Sequence, residues 1–219
     1  MSDQLAAMRR DYSGPRLDVA DLASDWWIQF DRWFDDARRQ PAELEPNAMV
    51  LATVGTDGRP SARTVLLKGV DESGLGFFTH YTSRKGEQLA GNSAVSAVFG
   101  WRTLARQVIV DGDATRISAA ESDQYFASRP YGSQIGALAS RQSSVLASRR
   151  ELDAAAAQQR ARYPEGTAIV CPATWGGFRI APWAVEFWQG RPDRLHDRLR
   201  YRKIGEPPEQ VWHVERLAP

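Results

Sequence analysis

From Asp21 onward the apolar residues Leu22, Trp26, Phe30, Trp33, Phe34 and Ala37 recur at three- and four-residue steps. That period is helical, with Asp21 as a candidate N-cap and Pro41 closing the segment. The 20 residues before it are polar and patternless and read as an arm ordered only by docking. Beyond Pro41 the period changes. Residues 49–54 and 61–68 read as strands joined by the turn Gly55-Thr56-Asp57-Gly58, and a turn at 71–74 leads into a third strand, 75–79. A short helix following Thr82 or Ser83 stops at Gly91-Asn92, before strands at 94–99 and 106–117, the latter bending at Gly112.

Ser118-Ala119-Ala120-Glu121 is a capping box and predicts a helix up to the bond before Pro130. Ser148 and Glu151 repeat that spacing and open a helix to about Tyr163. After a proline-containing loop, 183–189, 199–202 and 211–214 read as closing strands. Five or more hairpin strands with helices inserted between them predict the α+β class, mainly antiparallel, as a sheet or barrel. Residues 1–20 form the arm and 21–219 a single domain.

The chain has 219 residues and a formal net charge of +1. A general nucleic-acid binder neutralises many phosphates, so this balance argues against one while leaving room for a small anion. The lone cysteine, Cys171, has no internal disulfide partner and suits a reducing cytosol. No apolar run approaches the roughly 20 residues of a membrane span. The sequence therefore reads as a soluble cytoplasmic protein with no nucleic-acid or membrane partner.

Several residues conflict with a purely structural role. Arg84 and Lys85, behind Ser83, put two cations in the first turn of a helix, where the dipole favours negative charge. An anion at that end, such as a phosphate, removes the conflict, as would simple solvation. Arg63 lies in a mostly apolar strand that Lys68 ends, and strict alternation puts the two on opposite faces. Tyr125 and Arg129, four apart, share a helix face, and Ser133 follows in the next turn, a reasonable phosphate grip. Gln107 and Gln142-Ser143-Ser144 are polar but unspecific. His196 stands between Arg194 and Arg198, beside Asp197 and after Trp188-Gln189-Gly190, and the two arginines should hold it neutral. His80 and His213 have no such company. No zinc spacing, Walker loop or Rossmann fingerprint is present.

Together these segments resemble the pyridoxine/pyridoxamine 5′-phosphate oxidase family along nearly the whole chain. The resemblance rests on Arg9-Arg10-Asp11-Tyr12, Arg63-Thr64-Val65-Leu66-Leu67-Lys68, Phe77-Phe78-Thr79 with Ser83-Arg84-Lys85, and Arg106-Gln107-Val108. It continues through Tyr125-Phe126, Ser128-Arg129-Pro130, Ser133-Gln134-Ile135-Gly136, Arg141-Gln142-Ser143-Ser144 and Trp175-Gly176-Gly177-Phe178-Arg179. Residues 186–198 and the ending Arg216-Leu217-Ala218-Pro219 complete it.

The resemblance implies a split β-barrel and a homodimer with FMN at two subunit-interface sites. It implies that Arg63, Arg84 and Lys85 hold the FMN phosphate, with Gln142 and Ser143 beside it. The backbone of Arg63, Thr64, Val65, Leu66, Leu67 and Lys68, with Phe78, Thr79, Gln107, Trp188 and Arg198, would frame the rest of the cofactor. Lys68, Tyr125, Arg129 and Ser133 would grip a substrate phosphate. Arg194, Leu195 and His196 would face the substrate ring, with Arg194 and His196 in the catalytic role, and Arg9, Arg10, Asp11 and Tyr12 would close over it. The implied reaction oxidises pyridoxamine or pyridoxine 5′-phosphate to pyridoxal 5′-phosphate, with O2 as acceptor, H2O2 as product, and a place in vitamin B6 salvage or biosynthesis. Phe78 stands where the family commonly has Tyr. A phenazine-type flavin oxidase and a non-enzymatic carrier of FMN or pyridoxal phosphate are the competing readings.

Overall fold

The aromatic stripe of the first helical segment forms α1 (Trp26–Arg38) and buries Trp26, Phe30, Trp33 and Ala37. The structure is a computed structural model and describes residues 7–8, 11–206 and 208–219. Arg9 and Arg10 lie outside the described residues. The strands are β1 (Ala48–Val54), β2 (Pro60–Leu66), β3 (Gly69–Asp71), β4 (Gly74–His80), β5 (Ala94–Trp101), β6 (Arg106–Arg116), β7 (Trp175–Gln189), β8 (Asp197–Ile204) and β9 (Val211–Arg216). The remaining helices are α2 (Arg84–Gly91), α3 (Ala119–Ser128), α4 (Tyr131–Ala139) and α5 (Arg149–Arg162). The strands form one sheet in the order β2-β1-β5-β6-β7-β4-β3, with β8 pairing with β7 and β9.

The chain divides into two compact units. The first comprises residues 1–50, 96–112 and 182–219, the second residues 51–95 and 113–181. In the first, α1 sets Phe30 edge-on to Phe99 (5.0 Å) and Trp33 edge-on to Phe187 (5.2 Å). Arg106 lies over Trp33 at 4.4 Å and pairs with Asp36 at 2.7 Å. Antiparallel pairing of β7, β8 and β9 places Trp188 opposite Arg198 and Leu199 opposite Arg216. In the second unit, β4 pairs antiparallel with the first part of β7, bringing Phe77 opposite Phe178 and His80 opposite Trp175. A core of Phe126, Ile135, Ala137, Ile169 and Trp175 fills the space beside α3 and α4.

Most elements sit where the hydrophobic pattern predicts them, and the Ser118–Glu121 capping box forms in both directions. The first helix begins at Trp26 rather than Asp21. Asp21 instead closes a separate 3-10 turn: its carboxylate accepts the Asp18 N–H (2.8 Å), and Asp18 accepts the Val19 N–H (2.8 Å). The Ser148 capping box does not form. Glu151 accepts the Ala147 N–H (3.1 Å) and Ser148 gives no side-chain cap, although the helix still begins at Arg149. α4 escapes the sequence reading because Gly132 and Gly136 weaken its helical signal. β7 begins at Trp175 rather than 183, a stretch that two glycines and Pro182 disguise as loop. Among the described residues no helix is long and apolar enough to cross a membrane, and no cluster of His, Cys, Asp and Glu could hold a metal.

Candidate functional site

In the second unit, Ser83 caps α2 by accepting the Gly86 N–H and donates its hydroxyl to His80 O (2.7 Å). This pins the helix start that carries Arg84 and Lys85. The Lys85 ammonium is buried and donates to Gln142 Oε1 (2.7 Å) and Thr79 Oγ1 (3.0 Å). Arg63 donates from Nη1 to Leu51 O (3.1 Å) and to Thr53 Oγ1, and from Nη2 to Ser61 Oγ. Gln88 ties that group together by accepting from the Thr53 and Ser61 hydroxyls (2.6 and 2.8 Å).

Among the described residues none of Arg63, Arg84 and Lys85 pairs with a carboxylate. Burial and then Arg63 push Lys85 down to about 8, and burial and then Arg84 lower Arg63. Three cations that repel one another without a counter-ion, around a helix N-terminus, fit a phosphate.

A cavity of about 560 Å³ opens beside Lys85. It is walled by Thr64, Val65, Leu66 and Lys68 at the end of β2, by Phe78 and Thr79 on β4, and by Gln142. Tyr125, Arg129 and Ser133 complete it, so these three residues, read from the sequence as a candidate phosphate grip, line one cavity. The route to this geometry is local. Arg129 is the C-cap of α3 in extended conformation (φ −74°, ψ 147°), as a residue before proline should be, and Pro130 then starts α4 with Ser133 in its first turn. Arg129 Nη1 is buried and is the one such side-chain atom without a hydrogen-bond partner among the described residues. Burial lowers the Arg129 pKa.

Arg84 and Ser143 line a neighbouring space of about 740 Å³ together with Gln142 and Ser144, and Ser143 is held at φ +75°. Arg63 and Leu67 line neither space, and Leu67 is buried. The opposite-face problem posed by Arg63 and Lys68 eases because β2 ends at Leu66, leaving Lys68 beyond the strand with its N–H on Gly76 O (2.8 Å). Trp175 and His80 also face the main cavity, and neither was expected there. Trp175 was visible only as part of the Trp-Gly-Gly-Phe-Arg stretch.

The first unit carries the second group. Trp188 and His196 lie 4.6 Å apart, and Tyr12 sets its edge against both at 5.7 Å. Asp11 is exposed, Leu195 is 69% exposed and Gln107 is half-buried on β6. Asp193 and Arg194 both adopt left-handed backbone (φ 55° and 61°) in the turn before β8. His196 Nδ1 accepts the Arg191 N–H (3.0 Å). Its pKa is lowered by burial and then by Arg194. Arg198, expected to act with Arg194 on His196, instead grips Glu186 through Nε–Oε1 (2.7 Å) and Nη2–Oε2 (3.0 Å).

Comparison with known proteins accords with this picture. Residues 35–163 match the family profile "Pyridoxamine 5′-phosphate oxidase", and residues 175–219 match "Pyridoxine 5′-phosphate oxidase C-terminal dimerisation region". The pyridoxine/pyridoxamine 5′-phosphate oxidase of Streptomyces avermitilis is 54% identical, covering 98% of this chain and 96% of that one. That of Pseudomonas paraeruginosa is 49% identical over the full length of both. Among solved structures, PhzG from Burkholderia lata in complex with tetrahydrophenazine-1-carboxylic acid superposes with a TM-score of 0.84. It is 33% identical and covers 96% of this chain and 100% of its own. An FMN-binding protein from Nostoc punctiforme shares the fold at TM-score 0.70 and 17% identity, covering 90% of this chain and 100% of its own. Family profiles spanning most of the chain, and relatives alike from end to end, make it a member of the pyridoxine/pyridoxamine 5′-phosphate oxidase family of oxidoreductases, on the FMN-binding split-barrel fold.

Proposed function

We propose that this protein uses FMN to oxidise pyridoxamine 5′-phosphate and pyridoxine 5′-phosphate to pyridoxal 5′-phosphate, with O2 as acceptor and H2O2 as product. The observation that carries this reading is Arg129, whose buried Nη1 has no hydrogen-bond partner and which lines one cavity with Lys68, Tyr125 and Ser133. A buried guanidinium donor without an acceptor is costly, and a phosphate oxygen satisfies it. The cluster of Arg63, Arg84 and Lys85, of which Lys85 borders the same cavity, would take the FMN phosphate, with Gln142 and Ser143 beside it. Two distinct phosphate grips in one unit match a phosphorylated cofactor and a phosphorylated substrate.

The flavin, when bound, supplies the two-electron chemistry. The chain supplies position. Residues 63–68, Phe78, Thr79, Gln107, Trp188 and Arg198 frame the cofactor. Fixing both partners by their phosphates removes much of the entropic cost of bringing them together. Arg194 and His196 orient the substrate ring, and His196 does so as a neutral donor. The C-terminal dimerisation match supports a homodimer, and we place the FMN sites at its interface. Asp11 and Tyr12 would close over the occupied site. A cytoplasmic location fits the single unpaired cysteine.

The test is anaerobic mixing of the yellow, FMN-loaded protein with pyridoxamine 5′-phosphate, pyridoxine 5′-phosphate and unphosphorylated pyridoxamine. The phosphorylated compounds should bleach the flavin and, in air, yield pyridoxal 5′-phosphate. Failure of both to bleach it would make the protein a carrier. A phenazine-type oxidation is the second reading, favoured by the likeness to PhzG. Faster bleaching by tetrahydrophenazine-1-carboxylic acid than by either vitamin B6 phosphate would select it.

A further inference from the structure

We propose that Trp175, through the face of its indole ring, is the positioning residue of the substrate-phosphate grip, holding the Arg129 guanidinium desolvated and aimed into the cavity. This rests on the reading of Arg129 as a phosphate ligand.

The Arg129 Cζ lies 4.8 Å from the centre of the Trp175 ring and 5.7 Å from that of Phe126. Those two rings meet edge to face at 5.1 Å, forming an aromatic corner beneath the guanidinium. Arg129 has no carboxylate partner among the described residues, so the π faces provide its electrostatic compensation when no anion is bound. A carboxylate in that position would compete with a phosphate for the same N–H groups. An indole face stabilises the cation from one side and leaves the in-plane donors free. The unpartnered Nη1 is what such an arrangement leaves over.

Trp175 is itself fixed. It is 5% exposed, its backbone N–H donates to Pro172 O (2.8 Å), and it opens β7 opposite His80. Its ring stacks on Phe78 at 5.4 Å and 15°, and Phe78 stacks on Tyr125 at 3.9 Å and 24°. One aromatic stack thus links two members of the grip, Tyr125 and Arg129. Gly177, two residues on, keeps room for the stack, because a Cβ there would stand 2.9 Å from Phe78 Cε1.

The experiment measures inorganic phosphate, pyridoxal 5′-phosphate and pyridoxal binding to the FMN-loaded protein for the wild type, Trp175→Met, Trp175→Phe, Arg129→Leu and the double variant Trp175→Met/Arg129→Leu. Loss of a desolvated cation–π contact should weaken both phosphate ligands by about five- to thirtyfold in Trp175→Met. Trp175→Phe should recover most of the loss, and pyridoxal affinity should not change. In the Arg129→Leu background Trp175→Met should have no further effect, because contacting residues are not additive. Additive losses, or an equal loss for pyridoxal, would overturn the inference. If Trp175→Met does not fold, Trp175→Phe against wild type decides: weakening of about two- to fivefold confined to phosphate ligands supports it, and unchanged phosphate binding overturns it. A wild type that does not prefer pyridoxal 5′-phosphate to pyridoxal would sink the vitamin B6 reading instead, while the inorganic phosphate series still tests Trp175.

Discussion

His196 and Arg191 are joined by a hydrogen bond in which the Arg191 backbone N–H donates to Nδ1 at 3.0 Å. A ring nitrogen that accepts carries no proton, so neutral His196 holds its hydrogen on Nε2. Burial and then Arg194 keep its pKa below the ordinary histidine value, so the neutral form prevails at pH 7. The turn that sets this up is strained, with Asp193 and Arg194 both left-handed. Such strain persists where the surroundings demand it. Here the surroundings are the Tyr12 and Trp188 rings, which pack against the imidazole and against each other.

Amide substitutions separate the two nitrogens. His196→Asn keeps an acceptor near the Nδ1 position but loses the outward donor, whereas His196→Gln keeps a donor near Nε2. Loss of one strong hydrogen bond is worth about ten- to a hundredfold. His196→Asn and His196→Ala should lose about that much in kcat/KM, and His196→Gln clearly less. The reverse order in steady-state kinetics would show that the inner nitrogen faces the substrate.

With Lys85 in the FMN phosphate grip, FMN affinity is expected to depend on pH. In the FMN-free protein its pKa is pushed down to about 8, by burial and then Arg63, from a reference value of 10.5. A bound phosphate favours the charged amine and raises that pKa again. Affinity should therefore be flat below about pH 8 and fall above it, with a proton taken up on binding. Between pH 8 and the reference value the unfolded chain binds more protons at this site. The Lys85 contribution to stability of the FMN-free protein consequently rises with pH over that window. Lys85→Gln should flatten the binding profile, and Arg63→Gln should move its break upward. Fluorescence titration of FMN across the range reads both, and an unchanged break in Lys85→Gln would remove Lys85 from the phosphate grip.

The parts of this site legible in the sequence are those whose geometry is local. Ser83 before Arg84 and Lys85 announces its own helix start, and Tyr125 and Arg129 share a face because they are four apart on one helix. Trp175 was not legible as a site residue, since its contact with Arg129 depends on β7 starting within a Gly-Gly stretch that reads as loop. The partner of Arg198 was hidden for a different reason. Glu186 faces it only because β7 and β8 pair in a register that puts Trp188, not Glu186, directly opposite. The cancellation of the Arg198 charge, which leaves Arg194 as the arginine acting on His196, needs the fold.

Gly177 is required by packing. A Cβ there would lie 2.3 Å from Ile117 Cδ1 and 2.9 Å from Phe78 Cε1. Overpacking of this kind costs about 1–3 kcal/mol. Gly177→Ala should lower stability by that amount in urea unfolding and disturb the Phe78–Tyr125 stack, raising KM for a phosphorylated substrate. Pairing it with Ile117→Val, which withdraws one methyl, should restore part of the loss. No recovery would mean that Phe78, not Ile117, receives the clash.

The Glu186–Arg198 pair should respond unequally to loss of either member. The Glu186 side chain is 9% exposed and that of Arg198 is 32% exposed. Removing Arg198 strands a carboxylate that water barely reaches, whereas removing Glu186 strands a guanidinium that is a third solvated and still bonded to Ala218 O (2.9 Å). Stranding one member of a fully buried pair costs about 3–5 kcal/mol, and solvent screening reduces this for the exposed partner. Arg198→Ala should therefore cost about 2–4 kcal/mol and Glu186→Ala about 1–2 kcal/mol in denaturant unfolding of the FMN-free protein. The double variant should cost less than the sum, since it strands neither charge. FMN affinity should fall in Arg198→Ala beyond what Glu186→Ala produces, because only the first removes a group assigned to the cofactor. Equal FMN losses in the two single variants would make the pair a structural clamp between β7 and β8 and take Arg198 out of the cofactor site.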